Sequence, residues 1–161
     1  MDEKMELIKV LQTLPWFHEL EQPIFDKIAA ICELATFEAG NYLFREGDKE
    51  DYLYIVAEGR VALEIHVPGR GKMRIYTAEP MDIVGWSSIT PVVRQRTAAA
   101  RAVLPSRLVR MLAVELYKLC DEDHDLGYVV MRRLSNVIAS RLLTTRLQLL
   151  DMFSHPEVNE V

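Results

Sequence analysis

The stretch "GWSSITPVVRQRTAAARA", residues 85–102, gathers the residue types that could hold an anion. Gly85 can end a strand, and Trp86, Ser87, Ser88 and Ile89 can form one helical turn ahead of Pro91. The leading backbone N–H groups of such a turn have no intrahelical partners, and two serine hydroxyls stand beside them. Arg96 and Thr97 then open an apolar strand, "TAAARAV", so the guanidinium can reach back over the turn and offer paired N–H donors to a phosphate or carboxylate. Ala98 and the alanines after it leave room. A charge-assisted hydrogen bond contributes about 1.5–3 kcal/mol net, whereas a buried charge left without its partner costs about 3–5 kcal/mol. An inward Arg96 therefore implies a counter-anion or ample water; the alternative is that it pairs with an acid of the same chain or faces solvent.

Other chemistries fit less well. "GWSSI" begins like a nucleophile elbow but has Ile89 where the second glycine belongs. The histidines His18, His66, His124 and His155 are scattered, so a metal-dependent barrel enzyme is not indicated, and His66 reads as a strand histidine satisfied by hydrogen bonds or solvent. "GRGKMR" lacks the glycines of a phosphate-binding loop. We expect no catalytic residue, no metal and no cofactor.

The elements that must position the 85–102 stretch fall into three regions. Residues 1–35 have helical spacing: Met5, Leu7, Ile8 and Leu11 form a stripe, "LPWF" breaks it, and a second short helix begins at Pro23, where proline suits a first turn. Residues 36–112 drop to a period near two in "YLYIV", "VALEIHV" and "RLVRML", with glycine punctuation, which indicates a β-sandwich or barrel. "PGRG" at 68–71 reads as a hairpin turn. Tyr52 and Tyr54 lie on one strand face, and Trp16 and Phe17 read as hydrophobic anchors.

Residues 113–153 return to helical spacing, first in "VELYKLC", then in a run from Asp121 to about Phe153. Asp121, Glu122, Asp123 and Asp125 suit a helix start, where carboxylates meet free N–H groups and the positive dipole end. Leu126, Val130, Leu134 and Val137 make one apolar stripe; Met131, Ile138, Leu142, Leu149 and Met152 make an adjoining one. One face suits the barrel and the other a second copy. We assign Leu126, Val130, Leu134, Val137, Ile138 and Leu142 to a dimer helix, the alternative being a helix lying wholly on its own domain. Arg132, Arg133, Arg141 and Arg146 read as solvated or dimer-pairing. Residues 154–161 read as a flexible tail.

The composition sets bounds on these readings. With 161 residues, half of them apolar, the chain suits one domain over residues 1–153. A net charge of −5 gives no overall pull toward nucleic acid or an anionic membrane, so any anion must be caught locally. Cys32 and Cys120 are far apart and form no motif, which fits a reducing cytoplasm, and no apolar run spans a bilayer. We expect a cytoplasmic protein without membrane attachment.

The run "FEAGNYLFREGDKEDYLYIVAEGRVALEI" (37–65), with "DIVGWSSI" and "RTAAARA" after it, resembles the cyclic nucleotide-binding domain family, which includes bacterial cAMP-receptor regulators, kinase regulatory subunits and gated channels. The resemblance implies a β-roll flanked by N-terminal helices and a long C-terminal helix. It also implies a phosphate-binding cassette formed by Gly85, Trp86, Ser87, Ser88, Arg96, Thr97 and Ala98. Trp86 stands where the family places its ribose-binding glutamate, and an indole donates but cannot accept. In the C-terminal helix, the family's adenine-contacting hydroxyl pair falls on Val137 and Ile138. The bacterial regulators continue into a winged DNA reader, whereas this chain stops nine residues after Met152, so direct DNA binding is not expected. The expectation is a stand-alone sensor that binds a small anion, cAMP or a different phosphate or carboxylate, and signals through a homodimer to an unidentified protein partner. The alternative is a dimeric interaction module whose pocket no longer binds. Trp86 either caps the barrel or faces the ligand.

Overall fold

The computed structural model describes residues 2–49, 51–89 and 95–154. Pro91 and the tail from residue 155 onward lie outside the described residues. The first helix, α1 (Glu3–Thr13), is opened by Asp2, whose side chain accepts from Lys4 N–H. A 3₁₀ turn at Pro15–Phe17 carries the "LPWF" break, and α2 (Gln22–Ile31) follows with proline in its first turn.

The strands begin earlier than the periodicity indicates. β1 (Cys32–Phe37) starts directly at the end of α2, and its six residues all pair with the last strand, β8 (Ser106–Leu112), from Cys32 opposite Met111 to Phe37 opposite Ser106. Cross-strand pairing therefore claims residues 32–35 from the helical region. After β1 come β2 (Tyr42–Phe44), β3 (Tyr52–Glu58), β4 (Val61–Val67), β5 (Gly71–Ala78), β6 (Ile83–Val84), β7 (Ala99–Ala102) and β8 (Ser106–Leu112). They form two antiparallel four-stranded sheets, ordered β1-β8-β3-β6 and β2-β7-β4-β5. This is the expected β-roll. The "PGRG" segment joins β4 to β5 as a hairpin, with Val67 opposite Gly71.

The unbroken apolar and aromatic run "YLYIV" has a direct physical cause: β3 is covered on both faces. Leu53 and Ile55 point into the core between the first sheet and the helices, and Tyr54 and Val56 into the core between the sheets. Leu53, Ile55 and Val56 are fully buried. The larger core joins Leu11, Phe17 and Ile28 of the N-terminal segments to Val109 and Met111 of β8 and to Leu116, Leu126 and Val130 of the C-terminal helices. No helix among the described residues is long and apolar enough to cross a membrane.

The acidic "DEDHD" segment does not open one long helix. Asp121 and Glu122 belong to the last turn of α3 (Ala113–Glu122), and α4 (His124–Ser154) starts only after Asp123. The Asp123 carboxylate accepts from Leu126 N–H at 3.1 Å and from Lys27 Nζ at 2.8 Å, so it caps α4 and ties it to α2. At Gly127 the two helices approach so closely that a Cβ would stand 2.8 Å from the Cys120 carbonyl oxygen.

Candidate ligand-binding site

The site is built from three pieces of chain that meet above the second sheet. β6 ends at Val84, and Gly85, with a φ of +80°, turns the chain into the 3₁₀ turn Trp86–Ile89. A Cβ at Gly85 would lie 2.6 Å from Arg96 Nη1 and 2.9 Å from the Tyr52 carbonyl oxygen, so glycine is demanded by both conformation and space. Within the turn, Ser88 N–H donates to the Gly85 carbonyl at 3.0 Å. That donor closes the turn and is not offered to a ligand.

Arg96 does reach back over the turn, and it is buried, 4% exposed. Among the described residues it donates to backbone carbonyls rather than to a carboxylate. Nη2 donates to the Tyr52 carbonyl at 2.6 Å, Nη1 to the Gly85 carbonyl at 3.3 Å, and the guanidinium carbon lies 4.0 Å from the Phe44 ring centroid. Arg96 and Thr97 do not open a strand. Gln95 makes an isolated bridge to Lys49, and β7 begins at Ala99.

A cavity of about 410 Å³ lies between this turn, the second sheet and α4. That volume is within the usual range for small-molecule sites, roughly 300–1,000 Å³. Gly85, Trp86, Ser87, Arg96, Thr97 and Ala98 all border it, whereas Ser88 does not. The Ser88 Oγ is buried without a hydrogen-bond partner among the described residues. Trp86 borders the cavity while packing against the large helix–sheet core. Leu63, Ile65 and Ile75 supply apolar wall.

The opposite wall is α4, and here the structure corrects the sequence reading. Arg141, Thr144, Thr145 and Gln148 face the cavity at helical spacing. Two hydroxyl-bearing residues, Thr144 and Thr145, stand at this wall, whereas Val137 and Ile138 pack against the helix–sheet core. Arg141 is not a solvated residue. Nη2 donates to the Ile83 carbonyl at 2.7 Å, and the guanidinium carbon lies 3.5 Å from the Tyr76 ring centroid. Burial lowers its pKa, opposed by the Tyr76 and Asp82 charges, and burial likewise raises that of Tyr76. Tyr76 Oη donates to Asp82 Oδ2 at 3.1 Å. Gln148 Nε2 donates to the Ile75 carbonyl at 3.2 Å, anchoring the far end of the wall. Arg133, also expected to be solvated, donates to the carbonyls of Pro15, Trp16 and His18 and clasps the 3₁₀ turn. These residues were legible only as a polar stripe, 141, 144, 145 and 148, between apolar ones.

The dimer-helix assignment is corrected as well. Leu126, Val130 and Leu134 are buried in their own domain, and Val137 and Ile138 are half-buried against the same core. Of the six, only Leu142 is exposed, at 51%. The apolar surface that α4 leaves uncovered lies further along, at Leu143, Leu147, Leu150 and Phe153 beside Leu142, Leu149 and Met152. Among the described residues no group of three or more His, Cys, Asp or Glu is placed to hold a metal ion.

Comparison with known proteins agrees with this architecture. The family model for the cyclic nucleotide-binding domain matches residues 34–123, more than half of the chain. The neuropathy target esterase sws of Drosophila grimshawi is 26% identical over 147 residues, which is 85% of this chain and 10% of the esterase. The chain thus spans about a tenth of the length of that relative. A crystal structure from Geobacter metallireducens superimposes with a TM-score of 0.74 at 27% identity, covering 88% of this chain and 99% of that one. The catabolite activator protein of Thermus thermophilus superimposes with a TM-score of 0.70 at 26% identity, covering 87% and 63%. A matched sequence, the two four-stranded sheets of the roll, its flanking helices and the arginine-closed turn coincide in one chain, which belongs to the cyclic nucleotide-binding domain family.

Proposed function

We propose that this domain is a regulatory sensor that binds a small anionic ligand in the cavity between the 85–89 turn and α4, and that α4 carries the consequence to a second copy and to a protein partner. One observation carries the reading: a single cavity is walled on one side by the turn and the Arg96 segment and on the other by Arg141, Thr144, Thr145 and Gln148 of α4. A ligand that touches both walls has a different affinity for each position of the helix, and that difference is what shifts a two-state equilibrium. No bond is made or broken. Cyclic nucleotides are the first candidates because of the family. Thr144 and Thr145 offer the base a hydroxyl pair, but among the described residues lining the cavity no carboxylate is present to accept from a ribose hydroxyl. Other phosphates and carboxylates therefore stand beside cAMP.

The second copy is supported by residues on α4 that its own domain leaves exposed. Met131, Leu142, Leu149 and Met152 fall at coiled-coil a and d spacing and are 40%, 51%, 51% and 68% exposed. A second reading, a dimeric interaction module with a non-binding pocket, is favoured by Arg96, whose guanidinium already has two carbonyl acceptors and an aromatic face. Isothermal titration with cAMP and cGMP, together with native mass spectrometry of freshly purified protein, separates the two. Saturable binding or a retained small anion is expected; an empty, unresponsive protein leaves only the interaction module.

A further inference from the structure

β5 closes one side of the second sheet, pairing with β4 along one edge and with no strand of the described residues along the other. That outer edge is exposed at Lys72, Met73 and Arg74, and α4 meets it further on, where Gln148 Nε2 donates to the Ile75 carbonyl. A strand edge of this kind presents backbone N–H and C=O groups to any extended chain that comes alongside. Its two faces differ in chemistry. Lys72 stands opposite His66 and Arg74 opposite Glu64, whereas Met73, 41% exposed, stands opposite Ile65 on the side of the ligand cavity. The carboxylates near the two cations are already engaged: Glu64 is buried with both oxygens on Arg101, and Glu46 Oε2 accepts from His66 N–H. Arg45, Lys72 and Arg74 are exposed and belong to none of the ion pairs found among the described residues. Tyr42 fixes two of them in place, with the Arg45 guanidinium carbon 4.1 Å from its ring centroid and Lys72 Nζ donating to its Oη at 2.5 Å.

A chain of net charge −5 thus gathers free cations along one strand edge. A second copy is the wrong occupant, because two β5 edges side by side would set like charges against each other. A nucleic acid or an anionic membrane fits poorly, since affinity for either grows with the number of phosphates neutralised, and three cations on an acidic chain supply few. We infer that the β5 edge at Lys72–Arg74 docks an extended acidic segment of a protein partner, with carboxylates at every second residue beside Lys72 and Arg74 and apolar residues between them beside Met73 and Ile75. Same-face residues of a strand repeat every ~6.8 Å, so a carboxylate at alternate positions matches the spacing of Lys72 and Arg74. In such strand addition the backbone hydrogen bonds supply affinity and the alternating side chains supply specificity. The inference is independent of the ligand-binding reading and needs no anion in the cavity.

The test titrates the ¹⁵N-labelled chain with three capped six-residue peptides: alternating glutamate and valine, alternating glutamine and valine, and a block of three glutamates followed by three valines. The alternating acidic peptide is expected to shift the amides of residues 71–75 and to slow their hydrogen exchange. It should bind roughly three- to tenfold more tightly than either control, as two exposed ion pairs allow, with the preference shrinking as salt rises. The double variant Lys72→Gln, Arg74→Gln should lose the preference and keep its fold, since both side chains are exposed. Thermal unfolding checks the fold, and the comparison of the three peptides on the wild-type chain decides the matter if the variant does not fold. Equal binding of the three peptides, shifts confined to other surfaces, a preference that survives in the folded double variant, or no binding of the alternating acidic peptide at millimolar concentration overturns the inference and leaves Lys72 and Arg74 as guards against edge pairing. Duplex DNA or phosphatidylserine vesicles that shift these amides where the peptide does not would overturn it in favour of those anions.

Discussion

Arg96 Nη2 donates to the Tyr52 carbonyl oxygen across 2.6 Å, joining the segment before β7 to the first residue of β3 beneath the 85–89 turn. The same guanidinium holds the Gly85 carbonyl, so one side chain ties the turn and the segment before β7 to the distant start of β3. Arg96→Ala leaves both carbonyls without their donor and removes the cation from the Phe44 face. We expect a loss of about 2–4 kcal/mol in urea unfolding, with Arg96→Lys recovering less than half of it because an ammonium cannot reproduce the fork. A stability change within error would show that the turn stands without the arginine.

Gly85→Ala places a methyl group against that guanidinium and forces an L-residue to a φ of +80°. A destabilisation of about 1–3 kcal/mol is expected, since left-handed strain and the close contact add. Thermal unfolding of the variant checks it.

Gly127→Ala sets two effects against each other. Alanine favours a helix interior by about 1 kcal/mol, yet its Cβ would stand 2.8 Å from the Cys120 carbonyl oxygen, a backbone atom that cannot swing aside. The clash should win, lowering the melting temperature by about 2–8 °C as α3 and α4 are pushed apart. An unchanged or raised melting temperature would mean that the helix pair slides freely at this point.

These positions also mark what was readable from the chain alone. Gly85 and Arg96 were legible because the turn and its arginine are close in sequence and their chemistry is local. The α4 wall was not. Thr144 and Thr145 sit seven residues beyond Val137 and Ile138, two turns further along nearly the same face, a displacement of about 10 Å. Periodicity identifies a face but not how far along the helix the β-roll extends. The acidic run misled for a related reason: it straddles the end of α3 and the cap of α4, and only the Asp123 hydrogen bond to Leu126 marks the break. The start of β1 at Cys32 was likewise set by pairing with Met111, a partner far away in sequence.

On the second sheet, Arg101 Nε and Nη2 donate to the two Glu64 carboxylate oxygens at 3.0 and 3.1 Å. That hydrogen bonding, with the charges of Arg101, Lys72 and Arg74 adding to it and burial opposing, holds the Glu64 carboxyl below its ordinary value of 4.5. A carboxyl whose pKa falls on folding stabilises the fold above its unfolded pKa, and the contribution is lost as pH drops through the folded value. Glu64→Gln should therefore destabilise at neutral pH by about 1–3 kcal/mol, with the gap to wild type closing as the pH falls below 4.5. Denaturation series at several pH values read the difference; a gap independent of pH would contradict the pairing.

For the proposed second copy, paired Leu142→Glu and Leu149→Glu substitutions place charge on α4 where it is exposed, so the monomer fold should persist. Sedimentation at micromolar concentration should shift the wild-type dimer to monomer in the variant. A wild type that is already monomeric would contradict the dimer.

The most direct test of the ligand cavity is a titration of the ¹⁵N-labelled chain with cAMP and with cGMP, followed by amide chemical shifts. The account predicts that the largest saturable shifts fall together on the two walls of the cavity, Gly85 to Ser87 and Arg141 to Gln148. Shifts confined to other surfaces, or none with either compound at millimolar concentration, would contradict a ligand held between the turn and α4.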